Sequence, residues 1–310
     1  MNRFKGYAFI LGATLFWGVS ATTAKFLFTQ HVDTLVLVQM RMSISFLIIL
    51  FYFLISKRKF LAIKLSDLPH FALLGLIGGA GSNFTYYFTI QKTNVATAIL
   101  LQYLAPVLVL AYAAITKEEI LTVIKIIAGI VSLVGCYLAI VGKDFSIVSI
   151  NRLGLMTGLA SAICWAFTNV WLRHLIRKYS VWTCLVYSFM FASLFWLVMN
   201  PPWVIVAAAY STGMWEMFII FAVISILIPH SLYFGGIRYL TASRAIITAT
   251  FEPVVAILSA FLFLGESLSL IQILGAVLVI VAIAILQLRR EPEVEDSERN
   301  TVTVQYSISE

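Results

Sequence analysis

Apolar runs separated by short polar or charged breaks divide this chain into ten segments: residues 7–28, 33–55, 69–91, 94–115, 121–141, 151–173, 181–199, 214–236, 242–264 and 268–288. A helix needs about 20 apolar residues to cross a hydrocarbon core roughly 30 Å thick, because each residue adds about 1.5 Å. In lipid the backbone must satisfy its own hydrogen bonds, which makes each such run a helix. The pattern predicts an all-α integral membrane protein with ten transmembrane helices, joined by loops whose longest breaks are 56–68 and 200–213. Past residue 288 the pattern stops. The stretch EPEVEDSERNTVTVQYSISE (291–310) holds six acids and one Arg and has no apolar stripe, so 289–310 is expected to be an acidic, disordered cytoplasmic tail.

Composition sharpens the class. Of the 310 residues 61% are hydrophobic and 11% charged, against about 45–50% and about 25% in soluble domains. The net charge of +7 comes from Lys and Arg at the ends of apolar runs, not from a basic domain, so no nucleic-acid partner is expected. With the termini inside, the inner segments carry Arg3, Lys5, Lys57, Arg58, Lys59, Lys64, Lys117, Arg173, Arg177, Lys178, Arg238, Arg244, Arg289 and Arg290; the outer loops carry Lys92, Lys143 and Arg152. Fourteen against three is a positive-inside bias, which predicts cytoplasmic termini in the cell's inner (plasma) membrane. The N-terminal apolar run is too long for a signal peptide and lacks a small-residue cleavage site, so it is read as a retained helix. Cys136, Cys164 and Cys184 lie inside apolar runs without metal-ligand spacing and read as small core residues.

The chain repeats itself. Shifted by 148, GATLFWGVS (12–20) lies over ASAICWAFT (160–168), setting Trp17 on Trp165 and Ser20 on Thr168. Shifted by 147, TYYF (85–88) lies over LYFG (232–235), and LAPVLVLAYAAITKEE (104–119) over FEPVVAILSAFLFLGE (251–266). Pro106 then meets Pro253, and Glu119 meets Glu266. Five spans per repeat is an odd number, so the halves, 6–141 and 151–288, are expected to insert with opposite orientation as two inverted five-helix repeats.

This arrangement resembles the drug/metabolite transporter superfamily, and within it the EamA-type branch of bacterial exporters. The resemblance covers residues 6–288 and rests on the two halves, the Trp in each first helix, and the P-x(12)-E that closes each fourth. It implies an inner-membrane carrier of small metabolites, often amino acids or related solutes, with no bound cofactor.

Glu252 is the residue that an oily chain explains least. It lies ten residues into its span, roughly 15 Å deep at about 1.5 Å per residue, where a charge costs from about 2.5 kcal/mol upward. Two accounts stand: a carboxylate that couples protons or binds substrate in a central cavity, or a structural acid that binds backbone groups freed by Pro253 or pairs with an Arg. In the repeat Glu252 faces Ala105, so only one half carries a midplane acid. Glu119 and Glu266 sit at the membrane boundaries and read as helix ends or partners of neighbouring loops. Arg41, eight residues into the second span, either pairs with Glu252, binds a substrate carboxylate, or snorkels outward; Lys25 snorkels.

Further polar candidates fall at matching depths in the two halves. Asn83 superposes on His230, and Tyr86 on Tyr233. A histidine such as His230 is able to titrate near neutral pH; the stronger account is a buried histidine acting as a satisfied interhelical donor. Trp17 and Ser20 in one first helix, and Trp165, Thr168 and Asn169 in the other, read as cavity lining or as packing. Gly75, Gly78, Gly79 and Gly81 fit close helix contact.

Three function classes follow. A secondary transporter, with proton antiport or with substrate exchange that needs no ion, is expected to rock its halves about a central site and to need only a small solute, protons and the bilayer. An intramembrane enzyme lacks its signature here, since no H-E-x-x-H, G-x-S-x-G or acid cluster is present, and no phosphate loop marks an ATP-driven pump. A non-transporting scaffold has little reason to bear polar groups at the midplane.

Overall fold

The computed structural model describes residues 2–29, 33–93, 95–141, 152–264 and 269–288, which are helical almost throughout and include no strand. Glu266, Lys143, the side chain of Lys25 and the 289–310 tail lie outside the described residues. Long helices run over Asn2–Thr29, Thr34–Ser56, Val123–Val141, Arg152–Leu175, Val181–Met199 and Leu270–Leu288. Four further runs are interrupted. Leu68–Leu73 passes through a π-helical stretch, Leu74–Gly81, into Ser82–Lys92, and Thr212–Ala222 passes through another, Val223–Leu227, into Ile228–Ile237. Val95–Gln102 and Ala105–Thr116 are two halves of one broken helix, as are Ala242–Ala249 and Glu252–Leu264. Among the described residues, eight helical runs are long and apolar enough to cross a membrane: Leu35–Ser56, Thr97–Thr116, Val123–Ile140, Arg152–Leu175, Val181–Met199, Thr212–Ile237, Ala242–Phe263 and Leu270–Gln287. The chain is a multi-pass membrane protein.

Local chemistry sets the helix ends. Asp33 caps its helix by accepting the Leu35 and Val36 amides at 2.7 and 3.2 Å. Ser180, Ser211 and Thr241 cap theirs in the same way, each hydroxyl occupying an amide that the first turn leaves unpaired. Lys117 ends Ala105–Thr116 in the left-handed region, with φ 57°.

The interruptions obey the repeat. The breaks at 103–104 and 250–251 are 147 residues apart, and the two π stretches overlap under the same shift. The sequence pattern predicted spans over 94–115 and 242–264, with a kink at Pro106 and backbone groups freed by Pro253; the structure breaks both helices outright. Proline explains the difference: Pro106 and Pro253 have no N–H to give the carbonyls of Gln102 and Ala249 four residues earlier, and the helix restarts just before each ring. Pro229 likewise withdraws the donor for Ser225 inside the second π stretch.

Packing interleaves the two halves. The first helix lies against 228–237 and 252–264, while its counterpart 152–175 lies against 82–92 and the broken helix 95–116. Helix 123–141 pairs with its counterpart 270–288. Their crossing has no room for a side chain, since a Cβ on Gly275 would stand 2.3 Å from the Ala139 nitrogen. The largest buried cluster gathers Tyr7, Ile10, Phe71, Leu74, Leu172, Trp196 and Tyr233 from both halves.

Candidate functional site

The second half of the broken helix 242–264 begins with Glu252, so the carboxylate stands beside the break. The Tyr103 hydroxyl, which lies in the matching break of the other half, donates to Glu252 Oε2 at 3.0 Å. It also lies 3.4 Å from the Ala249 carbonyl oxygen, the acceptor that Pro253 leaves without its helical donor. The Tyr103 hydroxyl thus lies within reach of both the Glu252 carboxylate and the backbone carbonyl that Pro253 frees.

Arg41 does not pair with Glu252: among the described residues no ion pair joins them. Its Nη2 donates to Asn83 Oδ1 at 2.8 Å and its guanidinium lies over the Tyr87 ring, 5.1 Å from the centroid. Nε is buried with no acceptor among the described residues. The two charges nevertheless share one neighbourhood, because the Arg41 field reaches Glu252, Tyr86 and His230. Of the three alternatives for Arg41, these contacts with Asn83 and Tyr87 match neither pairing with Glu252 nor snorkelling outward.

Aromatic rings close the cluster. Trp17 packs edge-on against His230 at 5.3 Å and Trp165 at 5.9 Å, and tilts onto Tyr233 at 5.2 Å; Trp165 stacks on Tyr233 at 5.3 Å. The Tyr233 hydroxyl donates to Asn169 Oδ1, and Asn169 Nδ2 donates to the Trp165 carbonyl at 2.8 Å. His230 Nδ1 lies 3.0 Å from the Ile226 carbonyl. A carbonyl only accepts, so Nδ1 carries the hydrogen and neutral His230 presents Nε2 as an acceptor.

Accessibility sorts the candidates. Glu252, Tyr86, Tyr103 and His230 are each half-buried. Arg41, Asn83, Trp17 and Trp165 are also half-buried. Ser20, Thr168, Asn169 and Tyr233 are buried and internally satisfied. Ser20 and Thr168 donate to the carbonyls of Phe16 and Cys164 one turn back, at 2.6 and 2.9 Å, and Thr168 fills the space that Gly78 leaves open. These four form the wall. Tyr103 was not among the sequence candidates; its signal was its place three residues before Pro106. No group of three His, Cys, Asp or Glu side chains able to hold a metal occurs among the described residues.

A second polar cluster joins the halves at the helix ends. Glu119, in the turn after the broken helix 95–116, lies 3.3 Å from the buried Lys125 Nζ and accepts from the Ser243 hydroxyl and, at 3.4 Å, its amide. Burial pushes the Glu119 carboxyl upward, but hydrogen bonds from Ser243 and the charges of Lys125 and Arg173 outweigh it and hold the group below its ordinary value. Arg244 Nη1 donates to the Tyr7 hydroxyl at 3.2 Å, which donates to the Leu286 carbonyl at 3.3 Å, and Arg173 reaches the Ile237 and Leu240 carbonyls. At the same end Asp67 pairs with Lys178 at 2.5 Å and accepts from Tyr179; these two hydrogen bonds hold its carboxyl below its ordinary value.

Comparison with known proteins fits the architecture. The chain is 27% identical over 289 residues to YicL, an uncharacterized inner membrane transporter of Salmonella typhimurium, covering 92% of this chain and 95% of that protein. It is 26% identical over 220 residues to the threonine/homoserine exporter RhtA of Salmonella typhimurium, covering 69% of this chain and 70% of the exporter. A solved crystal structure superposes with a TM-score of 0.75 at 17% identity, over 91% of this chain and 96% of the other, which establishes the fold. The EamA-like transporter family model matches twice, over residues 4–141 and 152–288, and the chain is therefore a two-repeat transporter that belongs to the EamA-like family of the drug/metabolite transporter superfamily.

Proposed function

We propose that this transporter is a secondary exporter of small metabolites, amino acids and related solutes or drugs among them, and that it takes up a proton in exchange. The observation that carries the reading is the pair of opposite charges, Arg41 and Glu252, held deep in one half-buried cluster without bonding each other. Two charges at that depth are costly unless something neutralises them in turn. A zwitterion offers a carboxylate to Arg41 and an ammonium to Glu252 and the faces of Trp17 and Trp165. A relative that exports threonine and homoserine handles solutes of that kind. Protonation of Glu252 supplies the alternative to a bound ammonium, so one acid serves solute and proton by turns.

The motion is alternating access of two inverted five-helix halves, 6–141 and 151–288, ten spans in all, with both termini in the cytoplasm of a plasma-membrane protein. The excess of Lys and Arg at one set of helix ends supports that orientation. At that inner end the contacts of Glu119 with Ser243 and of Arg244 with Tyr7 tie the halves together, which supports a state closed toward the cytoplasm.

Solute counterflow in proteoliposomes over a panel of amino acids and metabolites tests the reading, with wild type and Glu252→Gln compared at equal and unequal pH. Transport of at least one solute, accelerated by a proton gradient in wild type and indifferent to it in Glu252→Gln, is expected. Counterflow that ignores pH in the wild type assigns ion-free exchange instead; no solute moving faster than in empty vesicles removes the transport reading of this cluster.

A further inference from the structure

We propose that Tyr103 is a positioning residue that couples the charge on Glu252 to the hinge of the broken helix 95–116. The proposal rests on the transport reading above and adds to it the device by which one proton moves a helix. Tyr103 occupies the break itself, between Gln102 and Ala105, and its hydroxyl reaches across to the matching break of the other half. There it meets two acceptors, Glu252 Oε2 at 3.0 Å and the Ala249 carbonyl at 3.4 Å. A phenol has one hydrogen, so it donates fully to one of them at a time. The Ala249 carbonyl is available because residue 253 is a proline.

Ionised Glu252 is the stronger acceptor and holds the Tyr103 hydrogen. When a hydronium ion from the accessible side protonates the carboxylate, water leaves and one O–H bond forms. That new O–H needs an acceptor, and the Tyr103 oxygen is already in reach. The Tyr103 hydrogen then turns to the Ala249 carbonyl. No covalent bond of the protein breaks; the hydroxyl exchanges one acceptor for another, and the residue carrying it is the hinge of 95–116. The shift is local because no salt bridge fixes Glu252 from elsewhere among the described residues.

Arg41 from helix 34–56 and Tyr103 act on Glu252, and the Glu252 charge in turn acts on Tyr86 from 68–92, Cys136 from 123–141 and Tyr233 from 212–237. Arg, Tyr and Cys side chains ordinarily titrate above neutral pH, which leaves the carboxyl as the group that changes under mild acid. His230 stands apart, across Trp17, and a His230→Gln control separates its titration.

The test uses the full-length protein in lipid nanodiscs without solute. Infrared difference spectra report the protonated carboxyl of Glu252, identified by its loss in Glu252→Gln. Hydrogen exchange, corrected for its intrinsic pH dependence, reports the hinge through peptides spanning residues 99–108. In wild type the hinge is expected to change protection at the pH where the carboxyl band appears. In Tyr103→Phe the carboxyl still titrates, with its band shifted by the lost hydrogen bond, while the hinge response disappears. Persistence of the wild-type hinge response in Tyr103→Phe overturns the proposal. Should that variant not fold, a wild-type hinge transition that fails to coincide with the carboxyl titration overturns it equally. Because no solute is involved, a responding hinge beside a silent counterflow panel removes the transport reading alone, and moving solute beside an unresponsive hinge removes the relay alone.

Discussion

Asn83 and His230, 147 residues apart, make the same bond. Asn83 Nδ2 donates to the Gly79 carbonyl at 2.8 Å and His230 Nδ1 to the Ile226 carbonyl at 3.0 Å, each four residues back into a π-helical stretch. A π stretch shifts the backbone ladder, and a polar side chain one turn on satisfies the carbonyl. The halves then diverge, since Asn83 spends its oxygen on Arg41 whereas His230 keeps Nε2 open.

That difference makes Asn83 the more sensitive position. Asn83→Ala leaves both Arg41 Nη2 and the Gly79 carbonyl short of a partner, and a hydrogen bond to a charged group contributes about 1.5–3 kcal/mol. Thermal unfolding in detergent is expected to show a loss of that order. Asn83→Asp restores an acceptor but neutralises Arg41, so it recovers stability without recovering solute counterflow.

The inner cluster predicts a rescue. Lys125→Met removes the buried ion-pair partner of the Glu119 carboxylate, leaving Ser243 and the charge of Arg173 acting on it, and breaking a buried ion pair from one side costs about 3–5 kcal/mol. Glu119→Gln combined with Lys125→Met removes both charges and is expected to return most of the lost stability. A double-mutant cycle on thermal midpoints measures the coupling, and additive losses show that the pair does not act as a unit.

Acid should loosen the same end of the molecule. Asp67 and Glu119 are both held below their ordinary values in the folded state. A carboxyl depressed by folding contributes stability above its unfolded pKa, about 3.9 for Asp and about 4.3 for Glu, and loses it as pH falls through the lower folded value. Melting temperature is expected to be flat above about pH 5 and to drop below about pH 4. Asp67→Asn should start lower at neutral pH and show a shallower acid limb. Lys178, held above its ordinary value by Asp67, loses its share only as pH rises through that raised value, so it shapes the alkaline limb.

Much of this architecture was legible in the sequence because the bilayer imposes it. Runs of apolar residues had to be helices, and the 147-residue offset exposed the halves through Trp17 and Trp165 and through Pro106 and Pro253. That Glu252 and Arg41 lie inside apolar runs was read by counting residues. Their relation was not, since pairing is decided by which way two long side chains turn, and here each turned to a neutral partner, Tyr103 or Asn83. Pro106 read as a helix kink and Pro253 as a residue that frees backbone groups, but the place of each break did not follow, because a proline acts on the carbonyl four residues upstream. Ser20 and Thr168 look like lining residues in sequence; in space each hydroxyl folds back on its own helix, a choice that spacing does not encode.

Two glycines separate packing from propensity. Gly275→Ala drives a methyl to 2.3 Å from the Ala139 nitrogen and 2.6 Å from the Gly135 carbonyl, contacts that only backbone movement relieves. Overpacking of this kind costs about 1–3 kcal/mol or more. Gly213→Ala meets nothing within 4 Å and is expected to hold or slightly raise the melting temperature. Equal behaviour of the two variants in thermal unfolding contradicts the crossing of 123–141 with 270–288.

Arg41→Lys is the sharpest test of how the cluster reads charge. The guanidinium holds Asn83 with one nitrogen, lies flat over Tyr87, and keeps Nε unspent. A lysine carries the same charge as a point on a flexible stem, so it can follow Asn83 or a ligand but cannot present a planar fork to a carboxylate. Fold and charge survive the change; the second hydrogen bond to solute does not. For a solute that bears a carboxylate, KM is expected to rise about tenfold, the equivalent of about 1.4 kcal/mol, with little change in maximal rate. The decarboxylated amine of the same solute has no group to place on Arg41 and should be carried equally by both proteins. Counterflow of the two solutes side by side measures this, and an equal loss for both assigns Arg41 to the scaffold instead of to solute binding.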